Sequence, residues 1–77
     1  MVRIIQQREK CIGCHACVDL APYRWRISRK DGKCTLIGAR EKKGWYTILV
    51  DDDEWEANLK AANYCPVNII RVEMAHL

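Results

Sequence analysis

The sequence lacks several features that would assign it to large classes of protein. No apolar run approaches the roughly 20 residues of a membrane-spanning helix, so no such helix is expected. Segment 1–8 lacks the apolar core of a secretory signal, which favours a cytoplasmic protein. No linker or low-complexity stretch divides the 77 residues, and we expect one domain over 1–77. No nucleophile or acid–base pair stands out, so the chain is not expected to be an enzyme.

The chain does contain five cysteines, four of them in an informative spacing. Cys11, Cys14 and Cys17 have two residues between successive thiols, and Cys65 stands far downstream, directly before Pro66. Soft thiolates select zinc or iron–sulfur clusters over hard cations such as Mg²⁺. Zinc sites usually draw their ligands from two short pairs, whereas a close triplet with a distant Cys-Pro suits the wrapping of an iron–sulfur cube. The spacing therefore favours one iron–sulfur cluster, with zinc as the alternative.

Ligands for a second cluster are missing from the sequence. The fourth position of the first cysteine run, which would hold a Cys in a two-cluster chain, holds Ala21. The positions reached by counting back from Cys65 with the same spacing hold Trp55, Asn58 and Ala61. None of these side chains binds iron, and the sequence therefore predicts a single cluster.

At these residues the chain resembles the single-cluster bacterial-type ferredoxins. The resemblance covers most of the chain and implies an α+β, ferredoxin-like fold, a degenerate two-fold repeat with small antiparallel β-strands and two helices. It further implies one [4Fe-4S] cluster bound by Cys11, Cys14, Cys17 and Cys65. A soluble carrier that shuttles one electron at a time between oxidoreductases is the function that the resemblance implies. Segment 38–50 is longer than is usual in the family.

Two other functions stay open at this point. An iron–sulfur module whose partner binding depends on the cluster would be regulatory rather than a carrier. A zinc-stabilised binding domain is the third possibility. Within the family, loss of the second ligand leads to a three-iron cluster, and the retained Cys14 therefore favours four irons.

Charge is segregated along the chain. The formal charge of +3 falls to about +1 with an oxidised four-iron cube and its thiolates. The basic segment 24–43 contains Arg24, Arg26, Arg29, Lys30, Lys33, Arg40, Lys42 and Lys43. Such a segment would steer docking of redox-partner proteins, a reductase and an acceptor, although a solvated face is the simpler interpretation. The basic residues form no nucleic-acid reading motif, and we expect a monomer without nucleic-acid or membrane partners.

Hydrophobic periodicity and turn signals predict a series of short elements. The expected strands are 2–5, 45–50 and 67–74, the last pairing with the first, and a hairpin of 25–27 with 34–36 around residues 31–32. Helices are expected over 15–20 and 51–64, and a charged loop over 38–44. In the second helix, Asp51 and Glu54 resemble a capping box. Helical spacing turns Trp55, Leu59 and Ala62 toward the core.

The sequence also suggests roles for four further residues near the cysteine pattern. The fifth cysteine, Cys34, reads as a small buried hydrophobic residue on a strand, the commonest fate of a lone cysteine. His15 is either an exposed loop residue or a group whose ionisation is coupled to the cluster. Tyr23 and Trp25 are expected to cover the cluster and the core.

Overall fold

The computed structural model describes residues 1–13 and 15–75. Its strands are β1 (Val2–Gln7), β2 (Trp25–Ile27), β3 (Cys34–Leu36), β4 (Arg40–Lys42), β5 (Trp45–Val50) and β6 (Ile70–Met74). Its α-helices are α1 (Ala16–Leu20) and α2 (Trp55–Tyr64), and single 3₁₀ turns cover Arg8–Lys10 and Asp52–Glu54. The predicted combination of antiparallel strands and two helices is confirmed.

Strand β1 is the centre of a four-stranded antiparallel sheet with the order β4-β5-β1-β6. Ile4 lies opposite Ile48 of β5 on one side and Val72 of β6 on the other. Alternate β1 residues, Val2 among them, are fully buried, as the period-2 geometry of a strand requires. The pairing of the last strand with the first is confirmed, and β5 on the other flank makes β1 an interior strand.

Strand β4 lies where the sequence predicted a loop, and that prediction was wrong. Residues 40–42 pair with 45–47 of β5, and Lys43 and Gly44 connect the two strands at φ of +54° and +87°. All three β4 residues are exposed and charged, so this strand carries no hydrophobic alternation for a sequence to reveal. A short charged strand at a sheet edge also discourages pairing with other chains.

The hairpin of β2 and β3 forms a separate two-stranded sheet that packs against the helices. Its pairing confirms the predicted strands, and residues 28–33 form the connection. Trp25 is fully buried in the core, whereas Tyr23 is 52% exposed, so the expectation of a covering residue fails for Tyr23. Cys34 is buried on β3, as predicted.

Helix α2 differs from its prediction in its start and in its buried face. The α-helix begins at Trp55 after a 3₁₀ turn, and Asp51 makes no side-chain capping bond. The fully buried residues are Asn58 and Ala61, while the expected core residues Trp55, Leu59 and Ala62 are half-buried. A buried asparagine needs a polar partner, and a hydrophobic pattern cannot reveal one. Within residues 1–13 and 15–75, no helix is long and apolar enough to span a membrane.

Candidate metal centre

The cysteine loop is shaped by two residues with positive φ. Cys11 follows the 3₁₀ turn, and its amide donates to the carbonyl of Arg8 at 3.0 Å. Gly13 and His15 then adopt φ of +73° and +68°, which bend the chain before α1 begins. The side chain of His15 is exposed, as one of the two expectations for this residue has it. Cys14, the second predicted ligand, lies outside the described residues.

Cys65 is brought to this loop by the end of α2. Its amide donates to the carbonyl of Ala62 at 3.4 Å, and its own carbonyl accepts from the amide of Asn68 at 3.2 Å. Because Pro66 has no amide hydrogen, the helix cannot continue, and the chain turns toward β6. The distant Cys-Pro therefore delivers its thiol at a helix terminus.

Three predicted ligands meet at one internal cavity. Its wall is formed by Cys11, Cys17, Cys65, Cys34, Gln6, Ile69 and Ile70. The exposed fractions of the three predicted thiols are only 8%, 3% and 7% in chain order. Cys11 and Cys17 belong to one loop, whereas Cys65 is far downstream, so its approach to the other two thiols is a property of the fold.

Hydrogen bonds around Cys11 suit a negatively charged sulfur. The amides of Gly13 and Cys34 approach Cys11 Sγ at 3.4 Å and 3.3 Å, each as a donor. Two donors on one sulfur stabilise a thiolate, the form of cysteine that binds metal. The donor set and its surroundings therefore fit an iron–sulfur cluster. Among residues 1–13 and 15–75, no three His, Cys, Asp or Glu side chains form a single-ion site.

Cys34 lines the thiol cavity, although the sequence did not indicate that it belongs to the site. Its Sγ accepts a hydrogen bond from Cys17 Sγ at 2.7 Å. That bond, together with burial and the charge on Cys17, raises the pKa of Cys34 well above the ordinary range of a thiol. The carbonyl of Cys34 accepts a 2.8 Å bond from Gln6 Nε2. Cysteine spacing gives no signal for this role, because only the pairing of β3 brings the residue to the loop.

Gln6 stands out among the residues that the structure describes. It is the one residue there with a buried side-chain nitrogen or oxygen atom that has no hydrogen-bond partner. Its Oε1 has no partner, although the residue is fully buried and lines the cavity of the thiols. Burial of a polar group in the hydrophobic core is costly. The presence of a polar residue at this buried position is therefore explained by the hydrogen bond from Gln6 Nε2 to the carbonyl of Cys34 rather than by packing.

The connection between β2 and β3 lies over the cysteine loop. Arg8 binds Asp31 through two hydrogen bonds of 2.8 Å and 3.0 Å, and the guanidinium holds the pKa of Asp31 down at about 2. Lys33 donates from Nζ to the carbonyl of Glu9. A Cβ on Gly13 would stand 2.6 Å from the carbonyl oxygen of Gly32. The β2–β3 hairpin and the cysteine loop are therefore in close contact and are joined by hydrogen bonds and an ion pair.

Three of the four positions of the missing second ligand set are occupied by protein core. Ala21, Asn58 and Ala61 are fully buried, and the indole Nε1 of Trp25 donates to Asn58 Oδ1 at 2.8 Å. These three positions therefore hold core side chains rather than ligands, and the single cluster stays a prediction.

The basic segment divides into separate groups. Arg24 is bound to Glu54 by two 2.8 Å bonds, with exposed side-chain fractions of 19% and 15%, so this cation is neutralised. The exposed residues Arg26, Arg29 and Lys30, here called the hairpin cations, line one groove together with Ile27, Ser28 and Thr35. The exposed residues Arg40, Lys42 and Lys43, here called the β4 cations, lie on the four-stranded sheet and its turn.

Comparison with known proteins matches this architecture. The family described as "4Fe-4S single cluster domain" matches residues 4–72. A protein named as an uncharacterized ferredoxin of Methanocaldococcus jannaschii is 36% identical over 74 residues, which cover 95% of this chain and 80% of the relative.

Solved structures of small ferredoxins share the fold. Wild-type ferredoxin 1 of Hydrogenobacter thermophilus superposes with a TM-score of 0.76 at 21% identity, covering 97% of this chain and 100% of the other. A [3Fe-4S] ferredoxin from R. palustris HaA2 gives a TM-score of 0.68 at 24% identity, covering 94% of this chain and 97% of the other. The α+β fold expected from the sequence is therefore the small-ferredoxin fold.

Proposed function

Because this chain belongs to the 4Fe-4S single-cluster domain family, we propose that it is a one-electron carrier with one [4Fe-4S] cluster bound by Cys11, Cys14, Cys17 and Cys65. The observation that carries the proposal is the meeting of the buried thiols of Cys11 and Cys17 with that of the distant Cys65 at one cavity. The cluster supplies the reversible one-electron chemistry. The protein supplies the thiolates, the burial and the amide donors to sulfur.

The choice of four irons rests on the ligand count of the sequence. The sequence offers four cysteines in the spacing that a four-iron cube would need, and Cys14 is among them. The R. palustris relative holds a [3Fe-4S] cluster, so the two cluster types are the alternatives that a test has to separate. Thiols committed to metal suit a reducing compartment, and we propose the cytoplasm.

The test is spectroscopic and uses anaerobically purified protein. We expect broad visible absorbance that bleaches with dithionite, a reduced-state EPR signal from one cluster, and four irons per chain. A three-iron EPR signal in the oxidised sample would replace the four-iron assignment. A colourless protein that holds one zinc ion would overturn the proposal.

Cysteine variants test the ligand set. Serine replacement of Cys11, Cys14, Cys17 or Cys65 is expected to lower the iron and sulfide content sharply. The matched control is Cys34→Ser, a change of the same kind at a buried thiol of the same cavity that is outside the proposed ligand set. Full cluster content in any one of the four ligand variants would remove that residue from the set.

We further propose that the hairpin cations form the docking face for an acidic redox partner. The hairpin lies over the cysteine loop, where Gly32 contacts Gly13 and the Cys34 amide binds Cys11 Sγ. A partner held there is close to the ligand sulfurs, and positive charge at that face attracts it. Arg24, being paired with Glu54, is not part of this face.

Two triple variants with the same loss of charge test the docking face. In one variant Gln replaces all three hairpin cations, and in the other it replaces all three β4 cations. The measurement is the rate at which the anionic EDTA chelate of cobalt(III) oxidises the reduced protein. We expect the hairpin variant to react more slowly and with a weaker dependence on salt than the β4 variant. With hexaamminecobalt(III), a cation, the order should reverse. Equal rates for the two variants would contradict the proposed face.

A further inference from the structure

Cys34 is a thiol at the site that the proposed ligand set does not use. We propose that Cys34 raises the reduction potential of the cluster by hydrogen bonding to two ligand sulfurs, through its amide to Cys11 and through its thiol to Cys17. The inference rests on the proposed function, since it requires a cluster bound by these two residues. It assigns a role in electron transfer to a residue outside the four-cysteine pattern.

The amide of Cys34 is a fixed donor. It lies 3.3 Å from Cys11 Sγ in a buried position, where a low local dielectric strengthens the bond. Strand β3 holds this amide in place, because Cys34 pairs with Ile27 of β2. From the other side, Gln6 Nε2 binds the carbonyl of Cys34 at 2.8 Å. Cys34 is thus attached both to its hairpin partner and to the central strand of the main sheet.

The thiol of Cys34 becomes the second donor when Cys17 binds iron. In the structure Cys17 Sγ donates to Cys34 Sγ at 2.7 Å, and both residues are buried, with exposed fractions of 3% and 2%. A sulfur that binds iron carries no proton, because the thiolate is the metal ligand. The proton in the contact between the two sulfurs therefore belongs to Cys34 once Cys17 is a ligand.

Both donors act in the same direction on the potential. Reduction adds one negative charge to the cluster and its sulfurs, and hydrogen-bond donors to the sulfurs stabilise that charge. Hydrogen bonds to charged acceptors are stronger than those to neutral ones. Loss of the thiol donor should therefore make reduction harder and move the potential to more negative values.

The experiment compares three variants of the holoprotein by anaerobic voltammetry. Cys34→Ala removes the thiol donor and keeps the amide, whereas Cys34→Ser keeps a hydroxyl donor of similar reach. Leu36→Val is the packing control, because Leu36 is buried on the same strand with an exposed fraction of 2%. A second readout is electron–nuclear double resonance of the reduced protein in H₂O and in D₂O, which detects exchangeable protons near the cluster.

We expect a negative shift of the potential in Cys34→Ala, a smaller shift in Cys34→Ser and none in Leu36→Val. One exchangeable proton coupling should be lost in the alanine variant and retained in the serine variant. A potential of Cys34→Ala equal to that of the wild type would overturn the inference. So would equal shifts in both Cys34 variants, or loss of the cluster from both. Absence of a cluster from the wild type would instead refute the proposed function.

Discussion

The indole Nε1–H of Trp25 donates a 2.8 Å hydrogen bond to Oδ1 of Asn58, and both side chains are fully buried. Asn58 in turn donates from Nδ2 to the carbonyl of Glu54 at 2.8 Å. The residue stands where a two-cluster chain would carry a ligand for its second cluster. A polar pair inside the core thus joins β2 to α2.

Asn58→Leu is expected to destabilise the protein by about 1–3 kcal/mol, because the indole N–H of Trp25 would be buried without an acceptor. For a domain of this size, about 1 kcal/mol corresponds to roughly 4–8 °C in melting temperature. The measurement is the apparent melting temperature of the holoprotein, followed by far-UV circular dichroism at a fixed scan rate.

The control for this prediction removes both polar groups of the pair. Trp25→Phe together with Asn58→Leu leaves no unsatisfied indole donor, so the double variant should lose less than the sum of the two single variants. An unchanged melting temperature in Asn58→Leu would show that water or another group satisfies the indole.

The parts of the fold that are marked by apolar residues or by a proline were predictable from the sequence. The strands 2–7, 45–50 and 70–74 carry branched apolar residues, and Cys65 with Pro66 marks the end of α2. Strand β4 was not predictable, because its three residues are all charged and exposed, and only pairing with β5 makes it a strand.

Polar contacts between distant residues explain the remaining differences. Glu54 binds Arg24 rather than forming the predicted capping box with Asp51. The contact of Cys34 with Cys17 arises from the return of the hairpin to the cysteine loop. A local sequence pattern contains neither partner, so these contacts appear only once the chain is folded.

Gly13→Ala is expected to lower cluster content, because a Cβ there would lie 2.6 Å from the carbonyl oxygen of Gly32. Backbone atoms on both sides cannot move aside without displacing the hairpin or the cysteine loop. The measurement is the number of irons per chain after anaerobic reconstitution, together with the melting temperature.

Gly32→Ala is the matched control for Gly13→Ala. Gly32 has φ of +71°, close to the +73° of Gly13, but nothing lies within 4 Å of its Cβ position. The control should therefore show only the conformational strain of an alanine at positive φ, about 1–2 kcal/mol. Equal effects of the two substitutions would mean that the contact between the loop and the hairpin is unimportant.

The pair of Arg8 and Asp31 predicts a pH dependence of cluster retention. Asp31 has its pKa lowered to about 2, mainly by the hydrogen bonds from Arg8, compared with 3.8 for the free group. A lowered carboxyl pKa contributes stability above the unfolded pKa, and that contribution disappears as the pH falls from about 4 to about 2. Asp31→Asn should lose this contribution at every pH above that window.

The prediction is tested by stopped-flow acid jumps, in which the rate of cluster bleaching is measured. At pH 5, the Asp31→Asn variant should bleach faster than the wild type, and the two rates should converge as the final pH approaches 2. Arg8→Gln should behave like Asp31→Asn, because it removes the other partner of the same pair. A ratio of rates that stays constant from pH 5 to pH 2 would exclude a role for the ionisation of Asp31.

Removal of the cluster is expected to unfold the cysteine loop and the turn after Cys65 before the region around Trp25 and Asn58. Three of the proposed ligands, Cys11, Cys17 and Cys65, line one cavity, where a bound cluster would link them. The region around Trp25 has contacts that need no metal, namely its own bond to Asn58 and the neighbouring pair of Arg24 with Glu54.

Hydrogen–deuterium exchange of the apoprotein, measured by mass spectrometry, distinguishes the two regions. Peptides covering residues 8–20 and 65–69 should lose their protection on removal of iron, whereas peptides from β5 and α2 should keep part of theirs. Reconstitution with iron and sulfide should restore the protection of the loop, which serves as the control for irreversible damage. Uniform loss throughout the chain would mean that the cluster, rather than the buried side chains around Trp25, holds both regions folded.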